Sequence, residues 1–215
     1  MYRLDRNFCK PQTFQEADDN RAYWLTRPAL ERLQALNFFN SQVYGYAPES
    51  PPAMNRTKAN AEDANECLRF NKDFEDFLFA LYDQNVAYLM VGDYAVVLHG
   101  YLRSTGVLDV WVKRSKESYQ KLVKAFQHFR MATMDMTEEA FLHKDEFDVF
   151  TFGRPPVAID LMTKVKGLDF DEAYQNADTL DFDGMEVRLI SLEDLKKAKR
   201  ASNRKKDQDD LEHLE

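Results

Sequence analysis

Three features of this chain could do chemistry together: a glycine turn at Gly92-Asp93 and two lone acids, Asp109 and Asp160. The turn stands in VAYLMVGDYAVVLHG, Asp109 in VLDVWV and Asp160 in VAIDLM. Each acid interrupts an apolar run that reads as a strand. A mid-strand carboxylate is costly to bury unless it is paired or holds a metal. Magnesium takes hard oxygens, typically one or two carboxylates plus waters and phosphate oxygens. A glycine before a helix start lets a phosphate approach exposed backbone N–H groups. Two acids on neighbouring strands beside such a turn can therefore form a metal-and-phosphate site. Side chains alternate along a strand, so Val107, Asp109 and Trp111 share one face. Valine at 107 stands where a metal site would want another acid. Each feature also has a plainer reading. The turn can be a strand-to-helix connection with Asp93 as its N-cap, and either acid can face solvent or pair with an arginine.

The loop from Tyr101 to Gly106 joins that helix to the Asp109 strand. Arg103 could meet a phosphate, and Ser104 and Thr105 offer hydroxyls; in isolation the loop is unremarkable. Between Lys196 and Lys206 lie seven basic residues, the densest positive patch of an acidic chain. It reads as a solvated helix face or as a contact for phosphate or an acidic partner.

The elements that must position these residues follow from periodicity. Phe70 to Tyr82 predicts a helix with Phe74, Phe77, Leu78 and Leu81 on one face. Val86 to Val91 predicts a buried strand, Tyr94 to His99 a short helix, and Val107 to Val112 a second strand. Ser115 to Phe129 is an amphipathic helix with Ser115 as N-cap. Phe147 to Phe152 and Val157 to Met162 are further strands, and Phe170 to Asn176 is a helix capped by Asp169. Asp183-Gly184 between apolar runs is a hairpin signal. Two helices close the chain, from Ser191 and from about Lys206. The order predicts an α/β or α+β domain with a mixed sheet backed by helices. The GxGxxG dinucleotide fingerprint is absent.

Pro48, Pro51 and Pro52 break regular structure. We place an N-terminal helical segment at 1–47, a proline-rich linker at 48–59, the core at 60–190 and closing helices at 191–215. The apolar stripe Leu30, Leu33, Leu36 and Phe39 must dock on the main domain or on a second subunit.

The chain has 215 residues and a formal net charge of −8. That balance argues against broad binding to nucleic acid. Cys9 and Cys67 form no CxxC and read as free thiols in a reducing compartment. The four histidines lack zinc-ligand spacing. No apolar run approaches a membrane span, and the N-terminus lacks a signal core, so the reading is cytoplasmic.

VGDYAVVLHGYLRSTGVLDVWV resembles the nucleotidyltransferase-like proteins of the DNA polymerase β superfamily. It is similar in particular to a small bacterial group with the pattern VGGYAVxxHGYxRxTxDLDIWV. The resemblance continues at VAIDLMTKVKGLDFDEAYQNA and at LISLEDLKKAKRASNRKKDQDDLEHL, so it spans about residues 70–215. Residues 14–46 also look like a helical unit found beside such domains. The resemblance implies a polymerase-β-like nucleotidyltransferase core that moves a nucleoside monophosphate from a nucleoside triphosphate using two magnesium ions. Carried over residue by residue, it implies metal ligands at Asp109 and Asp160. It implies nucleotide contacts from Gly92, Asp93, Tyr94, Arg103, Ser104, Thr105 and Lys206. It also suggests a toxin–antitoxin or phage-defence setting. Two departures stand out. VLD replaces DLD, so Val107 takes the place of the acid that bridges both ions. Asp93 replaces a small residue in the turn and would repel a triphosphate. Asn203 and Lys205 also replace a glycine and a proline, whereas Lys206 and Asp207 are kept. The expectation is a degenerate site with weak or no transfer activity, acting by nucleotide or partner binding. The alternative is an active magnesium-dependent transferase acting on a protein or small molecule. A third reading is a pure interaction module built on the N-terminal helices, through a protein partner or a homo-oligomer.

Overall fold

The computed structural model describes residues 3–14, 26–28, 35, 38, 41, 71–101, 105–154, 156–182 and 184–214. A seven-stranded mixed sheet forms its centre. The strands are β1 (Cys9–Gln12), β2 (Tyr88–Val91), β3 (Val107–Val112), β4 (Val149–Arg154), β5 (Val157–Met162), β6 (Asp178–Phe182) and β7 (Met185–Leu189). Their spatial order is β1-β4-β5-β3-β2-β7-β6. β3 runs parallel to β5, and β2 runs parallel to β7. The other neighbours are antiparallel.

Seven helices are described: α1 (Lys72–Asp83), α2 (Gly92–Leu98), α3 (Lys116–His128), α4 (Glu138–His143), α5 (Phe170–Gln175), α6 (Leu192–Ser202) and α7 (Lys205–Leu214). Their starts follow local chemistry. Asn71, Ser115, Thr137, Asp169 and Ser191 each accept a backbone N–H of the first turn through the side chain.

One face of the sheet is the core. Leu108, Val110 and Val112 alternate with Val107 and Asp109 along β3 and are fully buried. Phe150 and Phe152 of β4 and Ile159 and Leu161 of β5 are buried too. Helices α1 and α3 supply the second layer. Phe77 meets Phe126 edge-on at 5.5 Å, and Phe126 reaches Phe152 at 4.7 Å. The alternation that sends these side chains inward sends Asp109 and Asp160 to the opposite face.

The N-terminal residues join this domain directly. The Leu4 N–H donates to Asp73 Oδ2 at 2.9 Å, and Arg6 pairs with Asp73 at 3.2 Å. Cys9 and Phe38 belong to the main core. Burial pushes the Cys9 thiol up to about 12, and Cys67 lies outside the described residues.

Two elements depart from the sequence reading. Residues 9–12 are an edge strand, where the reading had only a helical segment. An edge strand tolerates Pro11 because only one side must pair. Helix α4 was also not foreseen. The linker at 48–59 and the apolar stripe Leu30, Leu33, Leu36 and Phe39 lie outside the described residues.

Candidate functional site

Register brings the two acids together. Asp109 pairs with Asp160 across parallel strands β3 and β5. Val91, the last residue of β2, pairs with Asp109 from the other side. The chain then turns at Gly92, with φ +64°. A Cβ on Gly92 would lie 2.0 Å from Asp109 Oδ2. Only glycine lets this backbone lie against that carboxylate.

One donor of the turn is already engaged within the protein. The N-cap of α2 is Val91, which offers no side-chain cap. Asp93 lies in the first turn, so the reading of Asp93 as N-cap is corrected. Its N–H donates to Asp109 Oδ2 at 3.3 Å. The turn therefore spends a donor on a protein carboxylate.

Asp160 is held from its other side. Thr151 of β4 sits opposite it and donates its hydroxyl to Asp160 Oδ1 at 2.5 Å. The buried Gln12 of β1 donates its amide to Thr151 Oγ1 at 2.6 Å. A line of hydrogen bonds thus runs from the edge strand to the acid.

Both acids line a cavity of about 370 Å³. Burial, then Asp160, then Asp93 push the Asp109 carboxyl up to about 8, against the pull of Lys206 and the Asp93 N–H. At neutral pH Asp109 therefore favours the protonated form. Val107 lines the same cavity, where its side chain offers no ligand. Among the described residues, no group of three His, Cys, Asp or Glu side chains is placed to hold a metal ion.

The far wall is basic and comes from α6, α7 and the turn between them. Lys199, Arg204 and Lys206 line it. Lys199 is only 4% exposed and binds Asp210 at 2.6 Å, Asp207 at 3.2 Å and Asp93 at 3.8 Å. Arg204 clamps Asp207 through Nε at 2.7 Å and Nη2 at 3.1 Å. Burial raises the Asp207 carboxyl, but its bonds to Arg204 and the nearby Lys199 win and hold it at about 2. Asn203, in the left-handed region at φ 52°, ends α6 and lets α7 fold back. The reading of this basic stretch as a solvated face is thereby corrected at Lys199, which is buried because its charge is met by three carboxylates.

Gly92, Asp93, Asp109, Asp160 and Lys206 thus surround one cavity. Two other expected contacts do not reach it. Tyr94 is buried in the core, its ring edge-on to Phe74 at 5.7 Å. It points away because the second helical position after the turn faces α1. Thr105 is buried and closes a local turn, its hydroxyl bonding to the Val107 backbone. Arg103 and Ser104 lie outside the described residues. Sequence reasoning missed Gln12, Phe14 and Thr151, and named Lys199 only as one of the basic stretch. The one sequence signal was Thr151, a lone hydroxyl in the apolar run VFTF.

Fold and site together define a mixed α/β protein with a paired-acid cavity under a basic wall. No protein-family model and no curated protein matches the chain. Among solved structures, it is similar to the crystal structure of an antigenic nucleotidyltransferase-like protein from Paracoccidioides brasiliensis. The identity is 18% and the TM-score 0.39, over 66% of this chain and 74% of that one. No described helix is long and apolar enough to cross a membrane.

Proposed function

We propose that this chain is a nucleotidyltransferase-fold protein that keeps a ligand cavity, lacks two-metal chemistry and acts by binding a nucleotide. The observation that carries the reading is the alignment of Asp109 with Asp160 in a basic-walled cavity, with Val107 two residues before Asp109 on the same strand. That geometry supplies hard oxygens from two carboxylates, enough for one divalent ion completed by waters and phosphate. It does not fit two ions, because the acid that would bridge them is replaced by a hydrocarbon. A bound magnesium would supply Lewis-acid stabilisation of phosphate charge. The protein's own residues do the rest. Thr151 fixes the Asp160 carboxylate, Gly92 presses the backbone onto Asp109, and Lys206 and Arg204 present positive charge. Asp93 is partly neutralised by Lys199, so its repulsion of a phosphate is weaker than its sequence position suggests.

Calorimetry with ATP and GTP on the unmodified protein, with and without magnesium, tests the reading. The expected result is binding that persists without magnesium, and no pyrophosphate release. No binding up to millimolar nucleotide would overturn it. Magnesium-dependent binding with pyrophosphate release would make the protein an active transferase instead.

A further inference from the structure

One polar line crosses the floor of the cavity, and the sheet register shows how far it runs. Val149 of β4, Met162 of β5 and Val107 of β3 make that floor apolar. Across it Asp109 lies beside Asp160, and Asp160 lies beside Thr151. Gln12 of β1 is paired with Val149 and reaches Thr151, two residues further along β4, on the diagonal. Four polar side chains from four neighbouring strands therefore form one row, from the edge of the sheet to its middle. Gln12 is only 7% exposed, and a buried amide is costly unless its hydrogen bonds are met.

The direction of the bonds carries the argument. A threonine hydroxyl has one proton to give. Gln12 Nε2 donates to Thr151 Oγ1, so that proton goes to Asp160 Oδ1. Gln12 thereby keeps Thr151 as a donor, and the donor restrains the rotation of the carboxylate it serves. A hard cation needs carboxylate oxygens held in this way. Ligating carboxylates are oriented by hydrogen-bonding partners one step out, whose loss costs about 10–100-fold in metal affinity.

We infer that Gln12 and Thr151 are positioning residues for a divalent cation held by Asp160 and Asp109, with Gln12 acting through Thr151. The inference rests on the reading above that the acid pair takes one ion. It makes edge strand β1 part of the site. The segment before β1 is tied to α1, because the Leu4 N–H and Arg6 both bind Asp73.

The test is manganese binding to the full chain without nucleotide, read from the paramagnetic resonance signal of the free ion. Wild type should bind the ion, and Asp160→Asn should lose it. Thr151→Val, of the same shape without the hydroxyl, should weaken binding about tenfold or more. Thr151→Ser, which keeps the hydroxyl, should bind as wild type does. Gln12→Met, of similar length without the donor, should weaken binding in the same sense. In a Thr151→Val background Gln12→Met should cost nothing further, because its route to Asp160 has gone. Melting curves in EDTA show which variants fold, and Gln12→Met with Thr151→Ser carries the test if Thr151→Val does not. Wild-type affinity in Thr151→Val or Gln12→Met, or a loss in Thr151→Ser equal to that in Thr151→Val, overturns the positioning role while the one-ion site stands. Additive losses overturn the action of Gln12 through Thr151. Binding that survives Asp160→Asn places the ion elsewhere and overturns the inference. No manganese binding to wild type at millimolar ion overturns the one-ion reading with it, and leaves nucleotide binding to be judged by calorimetry without metal.

Discussion

Restoring the missing acid, Val107→Asp, is the most direct probe of what this site has lost. Residue 107 lies two positions before Asp109 on the same strand face, about 6.7 Å away at ordinary strand rise. Asp160 is the parallel-strand neighbour of Asp109, so it lies about 8 Å from residue 107 on the diagonal. At an effective dielectric of about 20, a new charge repels each ionised neighbour by about 2 kcal/mol. Asp109 is held up to about 8, so at neutral pH Asp160 contributes most of that repulsion. Adding the cost of a half-buried carboxylate, the metal-free variant should lose about 2–4 kcal/mol. For a chain of this length that is a fall in melting temperature of about 5–10 °C. Magnesium at about a hundred times its dissociation constant would return about 2.7 kcal/mol, most of the loss. The assay is a pair of thermal melts, in 10 mM magnesium chloride (a concentration of about that order) and in EDTA, on wild type and variant. The variant should show a larger magnesium-dependent rise than wild type. If both proteins respond equally to magnesium, the argument that Val107 disables a second ion is refuted.

Three further outcomes are expected. Gly92→Ala should destabilise by more than the 1–2 kcal/mol of a left-handed alanine, because its Cβ would meet Asp109 Oδ2 at 2.0 Å; in an Asp109→Ala background its cost should fall but stay above that backbone penalty, because the Cβ of residue 109 itself lies 2.7 Å away, as a double-mutant cycle in urea would show. Asp207 has a folded pKa of about 2, below its ordinary 3.8. Its contribution, on the order of 2 kcal/mol, is therefore present above pH 4 and lost as pH falls through 2; Asp207→Asn should flatten that part of the acid-unfolding curve and leave Lys199 and Arg204 under-compensated at pH 7. Asp109 has the opposite sign: its folded pKa of about 8 exceeds the ordinary value, so the folded state holds the extra proton and stability falls as pH rises from about 4 to 8. Asp109→Asn should remove that slope, and its gain in urea midpoint should be larger at pH 8.5 than at pH 5.

The central strands were legible because their chemistry is local. VLDVWV and VAIDLM are read with their observed bounds, since every residue but the acids and Val107 wants burial on one face or the other. Ser115, Asp169 and Ser191 mark helix starts because a cap needs only its own next turn. Edge strand β1 was illegible. CKPQ has a proline, one apolar residue and a partner strand far away in the chain, and nothing local says that it pairs. The candidate site divides the same way. Gly92, Asp109 and Asp160 announce themselves as misfits in apolar runs. Lys199 does not, because its three carboxylate partners come from two other helices and only packing shows that it is buried. The same holds for Phe14 and Gln12. Tyr94 and Thr105 were misplaced because a motif gives position along the chain, not the direction a side chain takes.

The hydrogen bond from Gln12 to Thr151 spans 139 residues, and the basic wall reaches Lys206. No short contiguous piece of this chain can therefore contain the cavity. During synthesis, the acid pair can form only after Asp160 has left the ribosome, and the cavity can close only after α6 and α7 have packed. A ligand cannot then guide the early steps of folding; it can only select the finished molecule. The first and last elements of the sheet domain in chain order, an edge strand and a helix pair, each pack from one side only and are where local opening is easiest. A ligand held in the cavity would therefore report on both boundaries of the domain, leaving when either frays and before the buried strands β2, β3 and β5 release.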